Sequence, residues 1–214
     1  MISISGITYQ KEIESLPYFN KIQAGTLIGK KGKNLDKKLA QLKKIGYLLS
    51  FKNGLYVTSV FYEASRGSAY AEYVANVLRG PSYISLEYVL AKEGLIPEAV
   101  YAMTSITVKS SRAYTNFLGS YVYRNIKEEL FCGYKPVAWG TKTISVATHA
   151  KALFDFIYLK TAPDVQGEGL SDLRINWGSW RKDDTDEFAQ YVSLARSEKM
   201  ASVVTQIKKN TYAS

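Results

Sequence analysis

The chain has 214 residues, with 28 Lys and Arg against 19 Asp and Glu, for a formal net charge of +9. Hydrophobic residues make up 46% and charged residues 22%, a globular balance that excludes disordered and collagen-like chains. One Cys and one His exclude a Cys/His zinc site within one chain and a disulfide framework, and any catalytic triad would have to use His149.

The length suits one large domain or two small ones. The first twenty residues mix polar and apolar types, with Lys11, Glu12 and Glu14, so no signal peptide is expected. No apolar run approaches the roughly 18 residues of a membrane span. With a free thiol, the expectation is a cytoplasmic protein. The charge is uneven. Residues 1–60 hold ten Lys, no Arg and three acids (Glu12, Glu14, Asp36), a net of +7, whereas 61–214 carry a net of +2. A one-sided basic segment fits a polyanion-binding face.

In chain order, residues 11–19 read as a first helix interrupted by Pro17. Residues 22–28 read as a short second helix and Gly29–Lys33 as a turn. Asn34 is the expected N-cap of a third helix, in which Leu35, Leu39, Leu42 and Ile45 form an apolar stripe and Gly46 supplies the C′ stop. Lys37, Ala40, Gln41 and Lys44 project opposite that stripe, and Lys33 and Asn34 lead into the same face. Residues 47–59 flank Asn53-Gly54, a strong hairpin signal, with Lys52 at the tip. The order of helix, helix, turn, basic helix and hairpin predicts a winged helix-turn-helix over residues 1–60. Lys30, Lys31, Lys33, Lys37, Lys38, Lys44 and Lys52 are the candidate phosphate contacts. Asn34, Lys37, Lys38 and Gln41 are the candidate base readers, because Lys donates to guanine and amides pair with adenine.

Residues 61–214 read as a mixed α+β domain with antiparallel strands. A helix over 68–78 places Tyr70, Tyr73, Val74, Val77 and Leu78 on one face. Gly80-Pro81 breaks the chain, and Ser85 is the expected cap of a short helix ended by Gly94. Strands are expected over 100–108 and 117–126, and a hairpin over 134–147 turning near Gly140. Helices follow at 148–162, 186–195 and 197–209, with a Gly-rich loop at 166–170 between the first two.

No catalytic constellation emerges. His149 starts a helix without an obvious acid partner, and Cys132 reads as a small core residue in a strand-like run beside Phe131. Asp183, Asp184, Asp186 and Glu187 fit the acidic first turn of a helix, with a hard-cation site as the alternative. Neither glycine-rich stretch matches a phosphate-binding fingerprint. The expectation is no metal, no cofactor and no enzymatic activity.

Residues 86–126 resemble the antitoxins of type IV toxin–antitoxin pairs, the AbiEi-like family of abortive-infection (phage-resistance) systems. Leu86, Glu87, Gly94, Leu95, Ile96, Pro97, Glu98, Thr104, Ser105, Thr107 and Arg112 stand in that family's typical run, and Gly119, Tyr121, Tyr123 and Ile126 in the strand that follows. Lys151–Phe156 match a later helix motif. The Pro-Glu that usually precedes it is His149-Ala150 here, so no role is carried over to that position. The resemblance spans about residues 10 to 165. It implies an N-terminal winged helix-turn-helix, a C-terminal antitoxin domain and autorepression through inverted repeats in operator DNA. It also implies antagonism of a nucleotidyltransferase-like toxin without a stable complex. Self-association on DNA would accompany this. The rival reading is a nuclease or phosphoryl-transfer enzyme that uses Asp183–Glu187 for metal and the winged helix to reach DNA. A third is a ligand-sensing repressor.

Overall fold

The computed structural model describes residues 6–160 and 174–212. It is a mixed α+β structure with nine helices and two sheets among those residues. Close contacts divide it into one unit of residues 1–70 with 114–118 and a second of 71–113 with 119–214.

In the first unit, α1 (Gln10–Glu14) stops before Pro17 rather than continuing to residue 19, because proline cannot donate the next helical hydrogen bond. Strand β1 (Phe19–Asn20) follows. Asn20 then caps α2 (Lys21–Ile28) in a reciprocal box, with its side chain accepting from the Gln23 amide and Gln23 accepting from the Asn20 amide, each at 2.9 Å. Gly29, at φ 74°, reverses the chain in a left-handed conformation. A Cβ there would strike the Thr8 hydroxyl. Helix α3 (Gly32–Lys44) begins two residues before the expected cap. The Leu35 amide already donates to the Lys31 carbonyl, so Lys31 is the N-cap and Asn34 lies in the first turn.

Leu35, Leu39 and Leu42 are buried as the periodicity demands. Ile45 is not. It caps the helix at 43% exposure, because the chain turns off through Gly46 at φ 73°. Strands β2 (Leu48–Lys52) and β3 (Leu55–Thr58) form the hairpin around Asn53-Gly54. β3 also pairs with β1, giving the sheet order β1-β3-β2. Ile13, Phe19, Ala24, Ile28, the three leucines and Tyr56 make the core. The Tyr47 hydroxyl, donating to Glu14 at 2.8 Å, ties the end of α3 to α1. Helix α4 (Ser59–Ser65) follows, capped by the Thr58 hydroxyl at 3.1 Å.

The second unit is built on a six-stranded sheet. The strands are β4 (Ser82–Ile84), β5 (Ala102–Thr107), β6 (Arg112–Asn116), β7 (Gly119–Asn125), β8 (Tyr134–Trp139) and β9 (Lys142–Ala147), in the order β6-β7-β5-β4-β9-β8. The unit boundary falls within β6 and within helix α5 (Ser68–Leu78). The antiparallel expectation holds for β4/β5 and for the β8/β9 hairpin, which turns at Gly140. It fails for β5/β7 and β4/β9, which are parallel. A two-residue connection reverses the chain between β6 and β7. β7 then inserts between β5 and β6, so it runs in the same sense as β5.

Side chains alternate across this sheet. On one face the Tyr121 and Tyr123 hydroxyls donate to the Ala71 and Ala75 carbonyls of α5, and Tyr73 of α5 packs on Trp139 at 4.8 Å. On the other face Tyr83 and Ser85 meet helix α7 (His149–Leu159), seven of whose eleven residues are buried. Helix α6 (Glu87–Lys92) precedes β5, and α8 (Lys182–Ala195) and α9 (Glu198–Tyr212) close the described chain. Ser85 is not a helix cap. Leu86 occupies that position at φ 62°, while the buried Ser85 hydroxyl donates to Asp155. The 166–170 loop lies outside the described residues, as do residues 161–162 of the expected helix.

Candidate nucleic-acid interface

Helix α3 carries most of the candidate residues, and its geometry follows from the leucine stripe. At about 100° per residue, Lys33, Lys37, Ala40, Gln41 and Lys44 fall on the side opposite Leu35–Leu39–Leu42, and all five are exposed. Asn34 is exposed at the edge of that face. Lys38 sits only about 65° from the centre of the buried stripe on the same spacing. It is accordingly half-buried, with its Nζ close to Gly6. Lys31 is exposed and Lys30 half-buried in the turn before the helix. Lys52, also half-buried, ends β2 at the hairpin turn.

The electrostatics of the surface are close to uniform. Asp36 is the single acid between residues 21 and 52, and the Lys21 ammonium holds it at 2.5 Å. The hydrogen bond to Asp36 raises the Lys21 pKa, so that ammonium stays charged. Lys30, Lys31, Lys33, Lys37 and Lys44 lie along the same turn and helix. Ile22, at the start of α2, is 82% exposed beside them. It borders a shallow groove lined by Lys21, Gly25, Thr26, Lys30, Lys31 and Leu35.

No family model and no curated protein matches the chain.

Residues of interest in the second unit take other places than the sequence suggested. His149 does have acid neighbours, with Nε2 at 3.4 Å from Glu93 and Nδ1 at 3.7 Å from Asp184. They come from the segments after α6 and at the start of α8, so no local pattern could reveal them. The four acids of 183–187 do not converge. Buried Asp184 accepts from the Arg181 amide at 2.9 Å and closes the first turn of α8. Glu187 accepts from the Thr148 and Tyr191 hydroxyls at 2.8 and 2.5 Å. Asp183 and Asp186 are exposed. Among the described residues no group of three or more His, Cys, Asp and Glu side chains could hold a metal ion. Cys132 follows a short 3-10 turn (Glu128–Leu130) rather than lying in a strand. It is half-buried, and that burial pushes its thiol pKa up, away from thiolate chemistry. Among the described residues no helix is long and apolar enough to cross a membrane.

Two features of this unit escaped the sequence reading. The first is the fully buried pair Lys151–Asp155, with Nζ and Oδ1 2.7 Å apart one helical turn along α7. Tyr83 and Ser85 donate to the other carboxylate oxygen at 3.0 and 2.8 Å. Burial pushes the Asp155 carboxyl above its ordinary range, against the downward pull of Lys151 and the two hydroxyls. The second is a cavity of about 190 Å³ between Leu86, Thr104, Val122, Phe156 and Leu159, rimmed by Glu87, Arg124 and Lys160.

Proposed function

We propose that this protein is a DNA-binding antitoxin and autorepressor of the AbiEi-like type, not an enzyme, with a winged helix-turn-helix in its first unit. The observation that carries the DNA-binding half is α3. Its leucines are buried, its opposite face presents Lys33, Lys37, Gln41 and Lys44, and its one acid is taken by Lys21. The order α1-β1-α2-α3-β2-β3 and the β1-β3-β2 sheet support a winged helix in which α3 enters the major groove and the Asn53-Gly54 hairpin is the wing. The antitoxin half rests on the resemblance of residues 86–126, and its partner would be a nucleotidyltransferase-like toxin encoded beside it. The dispersal of the Asp183–Glu187 acids speaks against the nuclease alternative.

If each protomer neutralises about 4–6 phosphates, log K should fall with log salt at a slope of about −4 to −5 per protomer, with the DNA left intact. A shallow slope, or metal-dependent cleavage of the duplex, sinks this reading. Growth rescue on co-expression with the neighbouring toxin tests the antitoxin half.

Positioning and reading separate by mutation. Lys52→Ala should weaken binding to specific and random DNA alike. Gln41→Ala should reduce discrimination by about 1–3 kcal/mol at one base pair. An unchanged site preference for Gln41→Ala, measured on a library of duplexes, would contradict the orientation assigned to α3.

The cavity favours one second reading, a repressor that senses a small molecule. Its apolar wall, and a rim on which Arg124 and Lys160 outweigh the one acid Glu87, suit a small apolar-bodied carboxylate. A screen of such acids should find one that raises Tm in wild type and not in Arg124→Gln. Equal shifts in both proteins would remove this reading.

A further inference from the structure

The hairpin around Asn53-Gly54 is held by more than its own ladder. Pairing runs Leu48↔Thr58, Leu49↔Val57 and Ser50↔Tyr56, then Lys52↔Leu55, so Phe51 is the extra residue of a bulge. A bulge takes a backbone group out of the ladder, and that group needs another partner. The Phe51 carbonyl finds one in Asn116, whose Nδ2 donates at 3.3 Å. The Asn116 oxygen accepts from the Leu118 amide at 2.8 Å, which fixes the orientation of the amide group. Phe117 stacks on the Phe51 ring at 5.3 Å and meets Tyr62 edge-on at 5.1 Å. Tyr114 places its ring 5.5 Å from the Lys52 ammonium. All of Tyr114–Leu118 belongs to the first unit although it lies far along the chain.

We propose that Tyr114, Asn116 and Phe117 are positioning residues of the nucleic-acid surface, with Tyr114 holding the Lys52 ammonium where it meets a phosphate. The inference rests on the DNA-binding reading above. A lysine beside a two-residue turn has four rotatable bonds, and binding a phosphate costs it most of that freedom. A ring face that holds the ammonium beforehand reduces the cost. Unlike a carboxylate, an aromatic ring leaves the net positive charge in place for the DNA. Asn116 and Phe117 act further back. They secure the bulge that sets the direction of the hairpin tip, and hence of Lys52.

The test uses the full chain and a random-sequence duplex, because a phosphate contact needs no particular bases. Tyr114→Ala should weaken binding about 2- to 5-fold, the effect of a half-buried cation–π contact, without lowering Tm. Tyr114→Phe should restore wild-type affinity, since the ring and not the hydroxyl does the holding. In a Lys52→Ala background, Tyr114→Ala should have no further effect. The Lys52 ε-methylene protons should carry an upfield ring-current shift in wild type and Tyr114→Phe that Tyr114→Ala abolishes. Additive losses in the double variant, no rescue by phenylalanine, or no ring-current shift would each overturn the proposal. A wild type that shows the shift but binds no duplex would overturn the DNA-binding reading, and the phosphate role of Lys52 with it.

Discussion

Lys151→Met, with Asp155 left in place, is expected to cost about 3–5 kcal/mol of stability, the usual consequence of leaving one buried charge without its partner. Both side chains are fully buried, with Nζ and Oδ1 2.7 Å apart. The rings of Phe154, Tyr191 and Tyr83 surround the ammonium at 4.7, 5.1 and 6.0 Å. Water cannot replace the lost cation there. Asp155→Asn should be similarly harmful for the opposite reason. It keeps an acceptor for the Tyr83 and Ser85 hydroxyls but strands the ammonium among aromatic rings. The double variant Lys151→Met/Asp155→Asn should return to within about 1 kcal/mol of wild type, because both charges are then gone and the hydroxyls keep a carbonyl acceptor. Urea denaturation of the three variants decides this. A double variant as unstable as the sum of the singles would show that the two groups are not energetically coupled, and the pairing argument would fall.

That pair illustrates which parts of the molecule were legible in the sequence. A lysine and an aspartate four apart on a helix ordinarily form a solvated surface pair. Nothing local says that β4 brings Tyr83 and Ser85 over them. The same holds for Ser85, which reads as a helix cap and becomes a donor to Asp155, and for His149, whose acid neighbours come from distant segments. By contrast, the leucine stripe of α3, the Gly46 stop and the Asn53-Gly54 hairpin were all readable, because each depends on residues within a few positions of one another. Helix α3 starts three residues earlier than its sequence predicts, with Lys31 rather than Asn34 as the N-cap. Asn34 is the better cap by type, but the Lys31 carbonyl already accepts the first helical hydrogen bond.

The sheets divide in the same way. The β8/β9 hairpin was visible through Gly140. The parallel pairs β5/β7 and β4/β9 were not, since parallel neighbours are not joined by a tight turn and leave no short-range signature. Strands of two and three residues, β1 and β4, are too short to show a period. Of the candidate interface, the chemistry was legible and the support was not. The lysines of α3 could be counted from the sequence. The place of Lys38 on the flank follows from the helical spacing, whereas only the fold brings Tyr114, Asn116 and Phe117 beside Phe51 and Lys52.

Tyr70→Ala is expected to destabilise the first unit by about 3–5 kcal/mol, the cost of emptying a large buried aromatic site. Tyr70 is 1% exposed. Its ring meets Phe61, Phe51 and Tyr62 at 5.7, 6.3 and 6.3 Å, and its hydroxyl donates to the Pro17 carbonyl at 2.7 Å. It therefore ties the hairpin, α4 and the segment after α1 together from a position beyond residue 60. Tyr70→Phe removes only the hydrogen bond and should cost about 1 kcal/mol. The chain offers a clean readout. All three tryptophans, Trp139, Trp177 and Trp180, lie in the second unit, so their fluorescence follows that unit while far-UV circular dichroism follows both. In Tyr70→Ala, part of the dichroism transition should move to lower urea and the tryptophan transition should move less. A fragment of residues 1–60 lacks both Tyr70 and Phe117, so it should unfold without a cooperative transition and lose most of its affinity for duplex DNA. A 1–60 fragment that folds cooperatively and binds as tightly as the whole chain would show that the aromatic cluster over Phe51 is dispensable.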